Sequence, residues 1–136
     1  VAVSMVRVVM LSTLPLTQRQ FKRYEGIMNS AIENCVPCKG DSLPASEADI
    51  VSALERLPYW RRIEDGKAIE KEWSFKNFAD AHDFINEVAK IAEEENHHPD
   101  IIYGWGYAKI RLTSHSINAL HANDFIVAAK VDQLSA

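Results

Sequence analysis

The chain lacks any apolar run approaching the roughly 18 residues that span a bilayer, so no segment of it reads as a membrane helix. It also lacks a basic excess. Against 15 Lys and Arg stand 19 Asp and Glu, giving a net charge of -4 and a pI near 5.7. A general binder of the nucleic-acid backbone is usually basic, so neither direct nucleic-acid binding nor membrane binding is expected. Cysteine is scarce: the sequence has two, in Cys35-Val36-Pro37-Cys38, with no second pair. That excludes a four-cysteine zinc site. A redox CxxC wants a strand before it and a helix after it, whereas Lys39-Gly40-Asp41-Ser42-Leu43-Pro44 reads as loop. The pair is therefore expected to be structural or incidental, and low cysteine usage fits a reducing compartment. Acidic residues are missing before Glu25, while Arg7, Arg19, Lys22 and Arg23 are present. This apolar, Ser/Thr-bearing start resembles a targeting segment. A mobile or partner-bound terminus is the plainer expectation.

What remains is ordinary in bulk and specific in detail. The 136 residues, 47% of them hydrophobic, suffice for one globular core. Phe21, Tyr24, Ile27, Met28 and Ile32 recur at near-helical spacing and predict a helix over Thr17 to Asn34. Pro37, Gly40 and Pro44 mark residues 35–45 as a linker between an extension, 1–34, and a domain, 35–136. Ser46 is an expected N-cap, with Asp49 in the first turn, and Ile50, Val51, Leu54 and Leu57 form an apolar stripe that Pro58 ends. Residues 59–76 read as a hairpin turning at Asp65-Gly66. Asn77 is expected to cap a long helix through Glu95, with Phe78, Ala81, Phe84, Ile85, Val88, Ala89 and Ala92 on one face. Pro99 to Tyr103 reads as a strand, and Gly104-Trp105-Gly106 as a turn or bulge. In Tyr107 to Thr113, Ala108, Ile110 and Leu112 alternate with Lys109 and Arg111. A last helix is expected from about His121 to Leu134. The fold class is therefore α+β: an antiparallel four-stranded sheet with three helices packed on one face, plus the N-terminal extension.

The chemistry concentrates where the long helix ends, at Glu93-Glu94-Glu95-Asn96-His97-His98-Pro99. A third histidine, His115, follows the last strand. Histidine alone has an unperturbed pKa that allows proton exchange near neutral pH. Pro99 fixes its own φ and pushes His98 towards extended geometry, so both imidazoles can border one pocket. Thr113 and Ser114 offer hydroxyls for a polar ring ligand. Nearby carboxylates favour charged histidine, so one histidine can serve as acid while another serves as base. Three readings stand side by side: satisfied structural histidines, a metal site of unusual adjacent ligands, and acid–base catalysts. His82, on the polar side of its helix, and His121, near a helix start, carry less signal.

The pattern Glu93-x-x-Asn96-His97-His98-Pro99, then Thr113-Ser114-His115, then Asp124, resembles the pterin-4a-carbinolamine dehydratase family, known also as dimerisation cofactors of homeodomain transcription factors. The likeness extends through Cys35-Val36-Pro37-Cys38, the Ser46 helix and Leu57-Pro58-Tyr59-Trp60, over roughly residues 35–134. It implies dehydration of 4a-hydroxy-tetrahydrobiopterin to quinonoid dihydrobiopterin in tetrahydrobiopterin recycling, with no metal and no organic cofactor. It implies His98 as the leading proton-transfer residue, assisted by His97 and His115, with Asn96, His97, His98, Thr113, Ser114 and His115 contacting the pterin. Glu93, Pro99, Trp60 and Asp124 match pocket or supporting positions, while Glu94 and Glu95 read as solvated charge. Homodimers or homotetramers in the cytoplasm are implied, as is an alternative role as a coactivator that binds a homeodomain protein, with a nuclear location. Asn96 stands where the family often has aspartate, and Trp105-Gly106 where Tyr-Asn is common.

Overall fold

A computed structural model describes residues 33–134. The helix expected over Thr17 to Asn34 falls almost wholly outside the described residues. Helix α1 (Glu47–Glu55) begins where Ser46 Oγ accepts from the Asp49 amide at 3.1 Å, satisfying one orphan donor of the first turn. Its buried side carries Ile50 and Ala53; Val51, expected on the stripe, is half exposed.

Strands β1 (Arg61–Ile63) and β2 (Ala68–Ser74) form the expected hairpin, with Ile63 opposite Ala68. Its turn needs three successive positive φ values, at Glu64, Asp65 and Gly66. Glycine bears this without a Cβ penalty, and Asp tolerates it better than most residues.

Helix α2 (Phe78–Glu95) starts at Asn77, whose side chain accepts from the Asp80 amide at 2.7 Å. Ala81, Phe84, Ile85, Val88 and Ala92 are buried. Phe78 and Ala89, expected on that face, are exposed; Phe78 instead stacks with His82 and Tyr103 at the surface. Strands β3 (Asp100–Gly104) and β4 (Tyr107–Leu112) close at Trp105-Gly106, with Gly104 opposite Tyr107. A short 3-10 turn (His115–Ile117) leads to α3 (Ala122–Leu134).

The sheet order is β1-β2-β4-β3, antiparallel throughout. Register puts Ile69, Trp73, Ala108, Ile110 and Leu112 on one face, where they pack with the helices. Each fully buried aliphatic of this set contributes about 1.5–3 kcal/mol. The opposite face carries Glu70, Glu72, Lys109 and Arg111, and Arg111 is paired there with Glu64 and Asp100. This is the α+β sheet with three helices that the alternation predicts. Among the described residues, no helix is long and apolar enough to cross a membrane.

Residues 35–45 are more than a linker. They lie against the helical layer as a strap, tied by Ala45 N to Leu120 O at 2.8 Å and by contacts further upstream.

Candidate active site

Helix α2 ends at Asn96, which adopts the left-handed conformation at φ 52° and ψ 42°. The His97 amide then reaches back to Ala92 O at 3.1 Å. This is a Schellman-type stop, a place where asparagine substitutes for glycine. The reversal sends His97 and His98 off the helix end, and Pro99 leads directly into β3. At the other side, β4 ends at Leu112 and presents Thr113, Ser114 and His115.

The two ends face one cavity of about 600 Å³, lined by Glu94 to His98, Thr113 to Ser116, Asn123 and the strap Cys35 to Lys39. That volume suits a drug-sized or cofactor-sized ligand. A smaller cavity of about 310 Å³, between α1 and the start of α3, holds none of these three histidines.

Each histidine of the cavity faces a different carboxylate. His97 Nε2 lies 2.7 Å from Asp124 Oδ1. Asp124 is fully buried, and its other oxygen accepts from Ser114 Oγ and from the His121 amide, both at 2.9 Å. A carboxylate only accepts, so His97 Nε2 carries the hydrogen and its Nδ1 is the nitrogen left to exchange a proton. His98 Nε2 lies 2.8 Å from Glu93 Oε2, one helical turn back, and both groups are exposed. His115 Nε2 is 3.7 Å from Asp100 Oδ2, an ion-pair distance rather than a hydrogen bond. The three imidazoles thus range from buried and fixed to open and solvated.

The sequence-predicted residues do not all meet here. Asn96, Thr113 and Ser114 line the cavity with the histidines. Asp124 sits behind His97 and Glu93 beside His98, while Pro99 stands at the entry to β3. Trp60 is elsewhere, which corrects the expectation for it. It is 4% exposed, edge-on to Trp73, and donates its indole N–H to Asp132 at 3.1 Å. Packing against Trp73 and the bond to Asp132 of α3 hold it in the core.

Glu95 is a second correction. Its side chain is 8% exposed, pairing with Lys130 of α3 at 2.8 Å and accepting from the Cys35 amide at 2.7 Å. Burial pushes its carboxyl up, but the Lys130 ammonium and the Cys35 amide outweigh this and hold it below the ordinary value. The counter-charge that buries Glu95 lies 35 residues away on α3, beyond the reach of local pattern. Asn123 was also missed; its only signal is its place beside Asp124.

Both cysteines are free and half-buried. Burial, and then the Glu95 charge, push the Cys35 thiol up to about 12, so this sulfur is a packing group. Among the described residues, no cluster of His, Cys, Asp and Glu has the arrangement of a metal site.

Residues 43–134 match the family model described as pterin 4 alpha carbinolamine dehydratase. A relative from Halorhodospira halophila, whose name places it among the pterin-4-alpha-carbinolamine dehydratases, is 44% identical over 109 residues. The match covers 80% of this chain and all of that one. A similarly named relative from Aromatoleum aromaticum is 44% identical over 101 residues, covering 74% of this chain and 90% of its own. The solved transcriptional coactivator/pterin dehydratase from Brucella melitensis superposes with a TM-score of 0.65 at 26% identity. It spans 69% of this chain and all of its own. A pterin dehydratase-like protein identified as a RuBisCO assembly factor in the alpha-carboxysome gives a TM-score of 0.50 at 28% identity, covering 57% of this chain and 89% of its own. With the family model spanning most of the described residues and relatives matched over nearly their full length, the chain belongs to the pterin-4a-carbinolamine dehydratase family.

Proposed function

We propose that the protein dehydrates 4a-hydroxy-tetrahydrobiopterin, giving quinonoid dihydrobiopterin and water. The observation that carries this reading is the arrangement of His97, His98 and His115 around one cavity, each near a different carboxylate. The elimination moves two protons and no net electrons. A ring nitrogen loses a proton, and the leaving 4a-hydroxyl takes one up to depart as water. Histidines of differing environment suit both halves. His98, open to solvent, is the leading proton carrier, and the fixed His97 and open His115 assist it by orienting the 4a-hydroxyl or stabilising charge. The balance requires no redox centre and no cofactor. We place the enzyme in the cytoplasm as a homo-oligomer; the named relatives are bacterial, which gives no support to a nuclear site.

The test is direct dehydration of freshly generated carbinolamine, followed by absorbance, with wild type and His98→Ala. Acid–base groups contribute about 10²–10⁴-fold, so His98→Ala is expected to lose at least about a hundredfold. A wild type that does not accelerate the step, or a fully active His98→Ala, overturns the reading.

A second reading takes the fold as a binding partner, the role named for the solved coactivator and assembly-factor neighbours. Its support here is exposed apolar surface: Trp105 at the β3–β4 turn, the Phe78–Tyr103 stack, and Ile102 on the other face of the sheet. Partner binding that survives His98→Ala separates this role from catalysis.

A further inference from the structure

We propose that the segment Cys35 to Lys39 is a substrate-positioning strap of this site, and that Asn123 is the clamp that holds it. The inference rests on the dehydratase reading. The strap precedes the span matched by the family model, which begins at residue 43, and Asn123 lies within that span.

All five strap residues line the cavity, together with the histidines and hydroxyls. It belongs to no strand of the sheet, so its backbone groups are satisfied by side chains or by water. Asn123 does this in both directions. Its Oδ1 accepts from the Val36 amide at 3.0 Å, and its Nδ2 donates to Val36 O at 2.7 Å. One step upstream the Cys35 amide donates to Glu95 Oε1 at 2.7 Å, and Lys130 holds the other Glu95 oxygen. Downstream, Ser116 Oγ lies 3.4 Å from Cys38 Sγ. Three separate elements therefore hold one short segment in place: the end of α2, the 3-10 turn and the start of α3.

Asn123 is 2% exposed and sits among buried apolar residues of α3. An apolar side chain would pack there at no desolvation cost, whereas a buried amide costs free energy unless its polar atoms are paired. Here they are paired to the strap backbone.

The strap also supplies what the other walls lack. Those walls carry histidines and hydroxyls, while Val36 and Pro37 offer apolar surface at the mouth of the cavity. A flat bicyclic ring needs polar partners at its edge and an apolar surface against its face. Pro37 fixes its own φ and removes one donor, which stiffens the wall. Burial and the Glu95 charge push the Cys35 thiol up to about 12, so it stays protonated near neutral pH.

The clamp should therefore act on binding more than on turnover. In Asn123→Ala, KM for the carbinolamine is expected to rise about tenfold or more, with kcat within about threefold. Fluorescence quenching by 7,8-dihydrobiopterin, which does not react, should weaken in parallel. Val36→Gly/Pro37→Gly leaves Asn123 in place and is expected to give the same split. Ile50→Val, in the core of α1, controls for a general loss of stability and should leave KM unchanged. If Asn123→Ala fails to fold, the strap variant decides: a raised KM supports the inference and an unchanged KM overturns it. Wild-type-like binding by both folded variants removes the strap's role alone. Wild-type protein that binds no dihydropterin removes the dehydratase reading, and the strap's role falls with it.

Discussion

Asp124 Oδ1 lies 2.7 Å from His97 Nε2, joining the start of α3 to the turn that ends α2. The carboxylate is wholly buried and accepts two further hydrogen bonds, so it fixes both the orientation and the tautomer of the imidazole. Asp124→Asn keeps the volume and removes the charge. Its kcat is expected to fall about 10- to 100-fold, the scale seen when a histidine loses its carboxylate partner. Steady-state rates across pH check this, and an unchanged kcat with an unmoved profile contradicts it.

The Glu95–Lys130 pair links α2 to α3 beneath the strap. Removing one partner of a pair this buried costs about 3 kcal/mol, because the other charge is left uncompensated. Lys130→Ala should lower the urea midpoint accordingly at pH 7. The folded state holds the Glu95 carboxyl below its ordinary value of 4.5. As pH falls, the unfolded chain therefore binds the proton first. The contribution of Glu95 is present above about pH 4.5 and is lost as pH drops through the lower folded value. Lys130→Ala should start less stable and lose less of this contribution on acidification.

Cys35 is expected to resist alkylation. With a thiol at about 12, about one molecule in ten thousand carries the thiolate at pH 8. Iodoacetamide followed by peptide mass mapping should leave Cys35 unlabelled in native protein and label it after denaturation. Rapid native labelling would show that the strap does not bury the sulfur.

Trp60→Phe separates core from site. It removes the indole hydrogen bond to Asp132 and some packing against Trp73. The expected loss is about 1–2 kcal/mol, with KM and kcat unchanged. A selective rise in KM would return Trp60 to the pocket.

Gly106 has φ +87°, and a Cβ there would meet Phe75 O at 3.2 Å. The β3–β4 turn therefore requires glycine. Gly106→Ala is expected to cost more than about 1 kcal/mol, read as a lower thermal midpoint with activity retained in the folded fraction.

Much of the fold was legible because its signals are local. Ser46 and Asn77 cap their helices through bonds spanning three residues, and β4 alternates because adjacent strand residues face opposite sides. Asn96 and Pro99 likewise end α2 and place the histidine pair by short-range backbone geometry. The misreadings involve partners distant in sequence. Trp60 was drawn into the core by Asp132, 72 residues on, and Glu95 was buried by Lys130 and Cys35. The apparent linker became a wall of the cavity through Asn123, 87 residues away.

The sequence by itself determined the α+β class, the helix stop and the histidines with their family pattern, since periodicity, capping and spacing are written within a few turns of chain. Only the tertiary structure decided which carboxylate each histidine faces, which glutamate is buried and that the strap lines the cavity. Those are set by long-range packing of α3 and the strap against the end of α2, where burial makes a single ion pair or amide decisive.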